Sequence, residues 1–409
     1  WVSQLAGILP LSALVDFLDA PRVFHLFQLR RKIPFWCWPI TPQASRLLLT
    51  YDDQSAPCWL DQPGNSQAQV CLDGRYGDSY PAASPETLRM CLRAISCELI
   101  PNDHPNIQSE TGKRPQLLEL VVLKLSAGNE CGAVSRIWAH ATSQETCHRI
   151  VAWLGWLLWS GLLVLAGFAS CWVALSFLLV VVASGITVYV THSDEPRALA
   201  LREHSTYKRM VITADHLNST KWTIFYGDSD LVNSLLNWQL LSWRNRFNLK
   251  HTRALDVLLR TCLFAQWALA IAAAAKQGFD SYIIVVWILL CILSINFVFC
   301  SERSASVWLE QQAGISLSRY SATLSSRRAL LNTLLALNPD TFSAAHGTLM
   351  WLDQILKPGA ERSMWLEATS YFQSQDDQNV MGKQKETYSQ HYWWKFIDEG
   401  VKVAMQLKR

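Results

Sequence analysis

The sequence is poor in charged residues. Asp, Glu, Lys and Arg together make up 17% of its 409 residues, whereas about 25% is typical of a soluble domain. The 36 basic and 33 acidic residues nearly cancel and leave a net charge of +3. A disordered chain has more charge and fewer apolar residues, and a nucleic-acid-binding protein carries a strongly basic face. The composition therefore argues against both classes, and we expect no nucleic-acid partner.

The sequence also lacks the short motifs that mark common catalytic and cofactor sites. It contains no GxGxxG, GxxxxGK[ST], HExxH or GxSxG, the patterns of nucleotide sites, zinc proteases and α/β-hydrolases. Eleven cysteines are present, but no two are spaced as CxxC, and their odd number fits neither a disulfide framework nor a zinc ribbon. We therefore expect reduced thiols, no cofactor and no metal.

Long apolar blocks are what the sequence has instead. The first contains 44 consecutive residues, 150–193, without Asp, Glu, Lys or Arg. As one helix this block would be about 66 Å long, roughly twice the thickness of the hydrocarbon core of a bilayer. Gly167–Ser170 is a natural reversal point, so we predict a transmembrane hairpin over residues 150–191. The alternative is a buried pair of soluble helices, which would need a polar face that this block does not have.

A second block predicts another transmembrane hairpin over residues 255–300. Its later half, Tyr282–Cys300, is uniformly apolar, whereas its earlier half, Leu255–Ala275, contains Asp256 and Arg260. These two residues are four positions apart and can pair on one face of a helix. They form either a pair that snorkels to the headgroups or an intramembrane transport or relay site, and we favour the interfacial pair.

Basic residues flank the two blocks on one side. Only Lys276 lies in the short turns that would face the other side. The positive-inside rule then places both termini and the long middle loop in the cytoplasm. We predict an α-helical integral membrane protein with four spans, arranged as two hairpins, and a mixed α/β cytoplasmic domain. The lipid bilayer is its first expected partner.

The cytoplasmic domain is predicted to combine three segments: residues 1–148 as an α/β region, residues 192–254 as a β-hairpin with a helix, and residues 301–409 as a helical region. The middle insert is too small to be stable alone, so it should pack on the other two. The predicted strands are Arg46–Tyr51, Ala68–Leu72, Leu117–Leu125, Arg209–Thr213 and Lys221–Tyr226. The predicted helices are an interfacial Trp1–Leu18, Pro85–Leu99, one beginning at Ser229, Glu302–Leu337, Ala344–Leu356, Ala360–Phe372 and His391–Leu407. The last of these is basic and amphipathic, and either lies on an anionic leaflet or packs on the domain.

Candidate site residues cluster at the predicted membrane boundary. Cys147 and His148 precede the first span, and His192 and Asp194 follow the second. Such residues can form a metal site or a nucleophile with its base, but no second cysteine completes a local set, and an interfacial turn is the favoured interpretation. With Asp256 and Arg260 they are interface candidates, and we assign no catalytic residue.

Two motifs resemble those of uncharacterised multi-pass membrane proteins of filamentous fungi. They are KWTIFYG followed by LVNSLLN, within Lys221–Asn237, and WLDQILKPGAERSMW, at Trp351–Trp365. The resemblance covers about the carboxy-terminal two-thirds of the chain. It implies a multi-pass membrane protein, but neither an activity nor a functional residue.

Three functions are compatible with these observations. The favoured one is a non-catalytic membrane protein whose cytoplasmic domain binds a protein partner, forms a homo-oligomer or organises an assembly. The second is a membrane-bound enzyme that acts on a lipidic substrate near Cys147, His148, His192 and Asp194. A transporter or channel is the third, disfavoured because the spans contain few polar residues.

The predicted orientation can be tested at the only N-glycosylation sequon, Asn218–Thr220. If the middle loop is cytoplasmic, Asn218 stays unmodified when the chain is expressed in eukaryotic cells. Endoglycosidase treatment should then leave its gel mobility unchanged. A long sequon-bearing loop inserted between Gln277 and Gly278 is the positive control and should be glycosylated. A mobility shift of the unaltered chain would reverse the orientation.

Overall fold

A computed structural model of the chain forms two compact units, each made from three separate stretches. The first, which we call the helical unit, comprises Trp1–Asn65, Ala127–Ala198 and Leu240–Ala313. The second, the α/β unit, comprises Ser66–Ser126, Leu199–Gln239 and Gly314–Arg409. The structure describes residues 19–30, 33–37, 47, 57–62, 64–108, 114–125, 144–191, 197, 199, 207–240, 252–311, 313–338, 350–376 and 392–408.

The division corrects two predicted domain boundaries. Residues 1–148 do not form one region, because Trp1–Asn65 belongs to the helical unit and Ser66–Ser126 to the α/β unit. Residues 301–313 likewise belong to the helical unit. The physical reason is apolar burial: Phe24 and Phe27 join the same core as the long apolar helices. Sequence order grouped residues that side-chain packing separates.

The helical unit contains six helices among its described residues. These are α1 (Ala20–Arg30), α4 (Gln144–Phe168), α5 (Trp172–Thr191), α7 (Thr252–Lys276), α8 (Phe279–Leu293) and α9 (Ser301–Gln311). A π-helical turn, Ser294–Val298, continues α8, and 3-10 turns lie at Phe35–Cys37 and Trp59–Asp61.

Four of these segments are long and apolar enough to cross a membrane: His148–Phe168, Trp172–Val190, Ala254–Lys276 and Phe279–Val298. They coincide with the four predicted spans to within a few residues. The chain reverses between the first two at Ser170, whose φ of 54° lies in the left-handed region. Their large apolar side chains include exposed ones, such as Trp153 at 72% and Phe264 at 74% exposure.

The 3-10 turn at Phe35–Cys37 packs tightly against two of the apolar helices. The Trp36 ring lies against Gly155 of α4, where an added Cβ would be 2.0 Å from the ring. The Phe35 carbonyl oxygen lies against Gly185 of α5, 1.9 Å from the position of an added Cβ. Trp36 also donates its indole N–H to the Ala152 carbonyl at 3.2 Å. Glycines at these two positions therefore make room for the turn.

The α/β unit is built on a seven-stranded mixed sheet. Its strands are β1 (Val70–Asp73), β2 (Ser79–Pro81), β3 (Cys97–Ile100), β4 (Gln116–Leu125), β5 (Lys208–Ala214), β6 (Lys221–Asp228) and β7 (Ile315–Leu324), in the order β2-β1-β5-β6-β4-β7-β3. Strands from all three sequence segments therefore share one sheet. The strands predicted near Ala68–Leu72, at Leu117–Leu125 and in the 209–226 hairpin are confirmed.

Helices pack on the two faces of this sheet. They are α2 (Pro85–Ala94), α3 (Pro105–Gln108), α6 (Ser229–Leu236), α10 (Arg327–Leu337), α11 (Ala360–Asp376) and α12 (Trp394–Lys408), with a 3-10 turn at Met350–Gln354. Leu118 and Leu120 of β4 share a core with α10 and α12. Because side chains alternate along a strand, Glu119 lies on the opposite face. There it pairs with Arg319 at 2.8 Å, and Arg319 also donates to the Leu92 carbonyl of α2.

Two segments that were predicted to be helical throughout include a strand. The helix predicted over Glu302–Leu337 is broken by β7, and the one predicted over Pro85–Leu99 stops at Ala94 before β3. Gly314 adopts a φ of +66° and separates α9 from β7, and β7 pairs with β4 along all ten of its residues. Tertiary pairing overrides weak local helix preference in this serine-rich stretch.

Of the remaining predicted segments, some are described by the structure and others are not. The terminal helix packs in the core of the α/β unit, with Phe396 and Leu407 buried, which favours the second of the two alternatives for this segment. In Ala344–Leu356 the described part is the 3-10 turn from Met350. The predicted helix at Trp1–Leu18 and, except for Leu47, the predicted strand at Arg46–Tyr51 lie outside the described residues.

Two glycines of one helix provide a test of this packing. Gly155→Ala places a methyl group inside the Trp36 ring, so it should lower the unfolding temperature of the purified protein, by overpacking that costs about 1–3 kcal/mol. Gly161→Ala, in the same helix, meets nothing within 4 Å and should leave the unfolding temperature unchanged or slightly higher. Equal effects of the two substitutions would contradict the position of the Phe35–Cys37 turn.

Candidate functional site

Residues from all three sequence segments meet at one end of the sheet, where its central strands begin or finish. Leu117 of β4 pairs with Lys221 of β6, and Gln116 pairs with Leu324 of β7. The starts of β4 and β6 and the end of β7 therefore lie at the same end of the sheet. Arg114 precedes β4 by two residues, and Arg327 follows β7 by three. The register of the strands thus brings these two arginines to the same place.

Helix α12 holds the first turn of α10 in place at this end of the sheet. Ser326 caps α10, and its hydroxyl accepts the Ala329 N–H at 3.4 Å. Glu399 of α12 is fully buried and accepts both the N–H of Ser325, at 2.8 Å, and its hydroxyl, at 2.5 Å. At Gly400 an added Cβ would be 2.6 Å from the Cβ of Asn332, so α12 and α10 are in close contact. The residues that begin α10 therefore have a fixed backbone.

A cavity of about 360 Å³, which we call the arginine pocket, opens at this helix start. Its wall combines cationic groups with apolar side chains. The lining residues are Arg114, Gln116, Ser326, Arg327, Arg328, Leu331, Ile355, Leu356, Glu361 and Trp393. Three arginines against one glutamate give the pocket a net positive charge. Small-molecule sites are typically 300–1,000 Å³ in volume, so it has room for a compact ligand.

Arg327 is the most constrained cation of the pocket. Its guanidinium carbon lies 5.7 Å from the centre of the Trp222 ring, and one nitrogen donates to the Asn218 amide oxygen at 3.3 Å. Burial lowers the pKa of Arg327 from its usual value, but an arginine remains protonated in proteins. A partly desolvated guanidinium gains more from an anion than a fully hydrated one does.

Arg328 is held by an aromatic cluster. Its guanidinium carbon lies 4.8 Å from the Tyr392 ring centre, 5.6 Å from that of Trp393 and 5.8 Å from that of Phe396. It also pairs with Glu361 at 3.3 Å, and both side chains of that pair are partly exposed. Exposed ion pairs contribute little stability, so Arg328 can exchange Glu361 for another anion at small cost.

Gln116 closes the pocket from the sheet side. Its side chain is 94% buried, since its relative exposure is 6%, and its amide nitrogen donates to the Arg114 carbonyl at 3.1 Å. Its amide oxygen has no hydrogen-bond partner among the described residues. A buried acceptor without a donor is unfavourable, and a hydroxyl or protonated group on a ligand would satisfy it.

A larger cavity of about 800 Å³ lies at the opposite ends of the same helices, beside Leu337 and Leu407. Lys124, Lys208 and Lys408 line it, but helices α10 and α12 both end there. A helix carboxyl end carries partial negative charge, and Lys408 donates to the Ala336 carbonyl at 2.7 Å. Lys408 therefore compensates the partial charge of a helix carboxyl end within the protein.

A buried ion pair on the other face of the sheet serves the fold. Arg209 of β5 binds Asp73 of β1 and the Asn233 side chain of α6. Burial lowers the pKa of Arg209, but the hydrogen bond and the charge of Asp73 outweigh burial and raise the pKa above its usual value. Arg209 therefore stays protonated at physiological pH, and its bonds join two neighbouring strands to a helix.

Of the candidates predicted at the membrane boundary, the structure describes the side chain of His148. His148 lies in α4, where its Nε2 contacts the Val298 carbonyl at 2.8 Å and its ring packs on Phe299. The cavity beside it measures about 20 Å³, which holds little more than one water. Cys147 is part of α4, but its side chain, like His192 and Asp194, lies outside the described residues.

Some polar side chains of the apolar helices form hydrogen bonds or ion pairs with a neighbouring helix, whereas Asp256 and Arg260 do not pair with each other. Asp256 and Arg260 form no ion pair among the described side chains, and Arg260 is exposed. Gln266 donates to the Ser184 hydroxyl at 2.6 Å, between α7 and α5. Asp280 accepts the Ala174 N–H and pairs with Lys276. These bonds join helices, and they do not favour transport.

Sequence reasoning missed Arg114, Arg327 and Arg328, although one signal pointed to the last two. A helix amino end carries partial positive charge, so cations in the first turn are unfavourable. Ser325–Ser326 is a capping pattern before an apolar run, and two arginines follow it directly. Such a reversal of the usual charge preference is a sign that an anion binds there.

Comparison with models of protein families, with curated proteins and with solved structures found no match for this chain.

Proposed function

We propose that this chain is a membrane-anchored, non-catalytic binding protein whose α/β unit binds a compact anionic ligand in the arginine pocket. One observation carries the proposal: three arginines meet at the positive end of α10 around a cavity with apolar walls. Glu361 pairs with Arg328, but three cations at a helix amino end still favour an additional negative charge.

Membrane anchoring is supported by the exposed apolar surface of the helical unit. Phe168 is 89% exposed, Phe279 is 77% exposed and Phe297 is 70% exposed. An apolar surface of this kind is unfavourable in water and favourable in lipid. If all four helices span a bilayer, their two short turns, near Ser170 and Gln277, face one side. The α/β unit then lies on the other, cytoplasmic side, as the distribution of basic residues predicts.

The chemistry of the pocket defines the class of ligand. Guanidinium groups bind phosphate and carboxylate oxygens through paired hydrogen bonds, and helix amino ends favour the same anions. Leu331, Ile355 and Trp393 provide an apolar wall beside these cations. The ligand we propose is therefore a phosphate or carboxylate attached to a small apolar group, either as a soluble molecule or as a lipid headgroup.

The side chains that line the pocket favour a binding role over catalysis. Among the described lining residues, the ionisable groups are Arg114, Arg327, Arg328 and Glu361. Glu361 is paired with Arg328, and the Ser326 hydroxyl caps the helix. General acid-base or nucleophilic chemistry needs a base within hydrogen-bond reach of the reacting group, and this set holds none beside Ser326.

Isothermal titration of the full chain, purified in a neutral detergent, tests the proposal. Phenyl phosphate should bind more tightly than inorganic phosphate, and phenol should not bind, because both the charge and the ring contribute. Arg114→Gln should weaken phenyl phosphate binding about tenfold, the effect of one charge-assisted hydrogen bond. Dihexanoyl phosphatidic acid, as a further ligand, distinguishes a lipid headgroup from a soluble anion by whether it binds more tightly than phenyl phosphate.

Arg93→Gln is the matched control, because Arg93 is an exposed arginine of α2 outside the pocket. It removes the same charge and should change the affinity by less than about twofold. Equal weakening by Arg93→Gln and Arg114→Gln would attribute binding to net charge alone and contradict the proposal. So would a failure of phenyl phosphate to bind the unaltered protein.

A further inference from the structure

Three residues of metal-ligating type meet in the interior of the helical unit. His25 lies on α1, and Cys58 and Asp61 lie at the two ends of the 3-10 turn Trp59–Asp61. One ligand atom from each residue lies within 4.8 Å of the other two, and all three residues are buried. The exposure of the His25 and Asp61 side chains is 0%, and that of Cys58 is 1%.

His25 and Asp61 lie at ion-pair distance from each other. Nε2 of His25 and Oδ2 of Asp61 are 3.8 Å apart, which is longer than a hydrogen bond. In a tetrahedral zinc site with bonds of about 2.0–2.3 Å, neighbouring ligand atoms are about 3.3–3.8 Å apart. The two atoms are therefore placed as neighbouring ligands of one ion would be.

Backbone contacts hold the two segments together independently of any ion. The Trp59 N–H donates to the Gln28 side-chain oxygen at 2.7 Å, and the Trp59 ring lies edge-on to Phe24 at 6.4 Å. The Leu60 N–H donates to Nδ1 of His25 at 3.2 Å. The contact of Leu60 with Nδ1 leaves Nε2 as the ring atom that faces Asp61. The contacts of Trp59 thus hold α1 and the turn together before an ion binds, which lowers the cost of binding.

We propose that His25, Cys58 and Asp61 bind a zinc ion that fastens α1 to the 58–61 turn. A thiolate, an imidazole and a carboxylate together suit zinc, whereas magnesium and calcium prefer oxygen ligands alone. Binding releases the Cys58 thiol proton, and the ring proton of His25 moves from Nε2 to Nδ1, which frees Nε2 for the ion. The Leu60 amide then turns away from the ring, which exchanges one weak hydrogen bond for a metal bond.

The metal content of the full chain tests this proposal. The protein, purified in detergent, is incubated with zinc, separated from free ion and measured by inductively coupled plasma mass spectrometry. We expect about one zinc ion per chain. Cobalt in place of zinc should produce the charge-transfer absorption of a thiolate bond, which identifies the cysteine ligand directly.

Cys58→Ser and Asp61→Asn should each lose the ion. Changing even an outer-shell partner weakens metal binding about 10- to 100-fold, and removing a ligand should exceed this. Cys37→Ser is the matched control, because Cys37 is equally buried in the same unit but is not part of the cluster. It should retain zinc and the cobalt absorption.

Two results would overturn the proposal: unaltered protein that takes up neither metal, or Cys58→Ser protein that binds zinc as tightly as the unaltered chain. If the variants do not fold, as judged by circular dichroism and gel filtration, the cobalt spectrum of the unaltered protein decides. Absence of the thiolate absorption then refutes a site at Cys58. Since the cluster and the arginine pocket share no residue, either proposal can fail alone.

Discussion

The α/β unit depends on the pairing of its strand β4 with β6 on one side and with β7 on the other. β4 runs parallel to β6 and antiparallel to β7, and each of the three strands comes from a different sequence segment. Because side chains alternate along a strand, a slip of one residue would move Leu118 and Leu120 out of the core. The hydrophobic pattern therefore fixes the register, and the register places Arg114 beside Arg327.

The pocket illustrates how a fold can stabilise an unfavourable local charge. Arg327 and Arg328 begin a helix, where cations are disfavoured, yet the rings of Trp222 and Tyr392 lie against them. The buried Glu399 accepts hydrogen bonds from Ser325 at this helix start. The lining of the cavity keeps three arginines against one glutamate, which is why we propose an anionic ligand.

Much of the fold could be predicted because its signals are local. The 44-residue apolar block fixes two long helices, and the alternation in Lys221–Tyr226 fixes a strand. β7 could not be predicted, because its serine-rich sequence has little preference of its own and pairs only when β4 is present. The positions of Trp36 against Gly155 and of His25 near Asp61 join residues far apart in the sequence, so no local pattern contains them.

Local sequence specifies the four long apolar helices, their turns and the strands of the 209–226 hairpin, because hydrophobic length and alternation act between near neighbours. Which segments share a unit and which side chains converge depends instead on packing between distant parts of the chain. Arg114, Trp222 and Arg327 are brought together by strand pairing over more than 100 residues of chain. Such convergence depends on the geometry of the whole sheet, and no single segment specifies it.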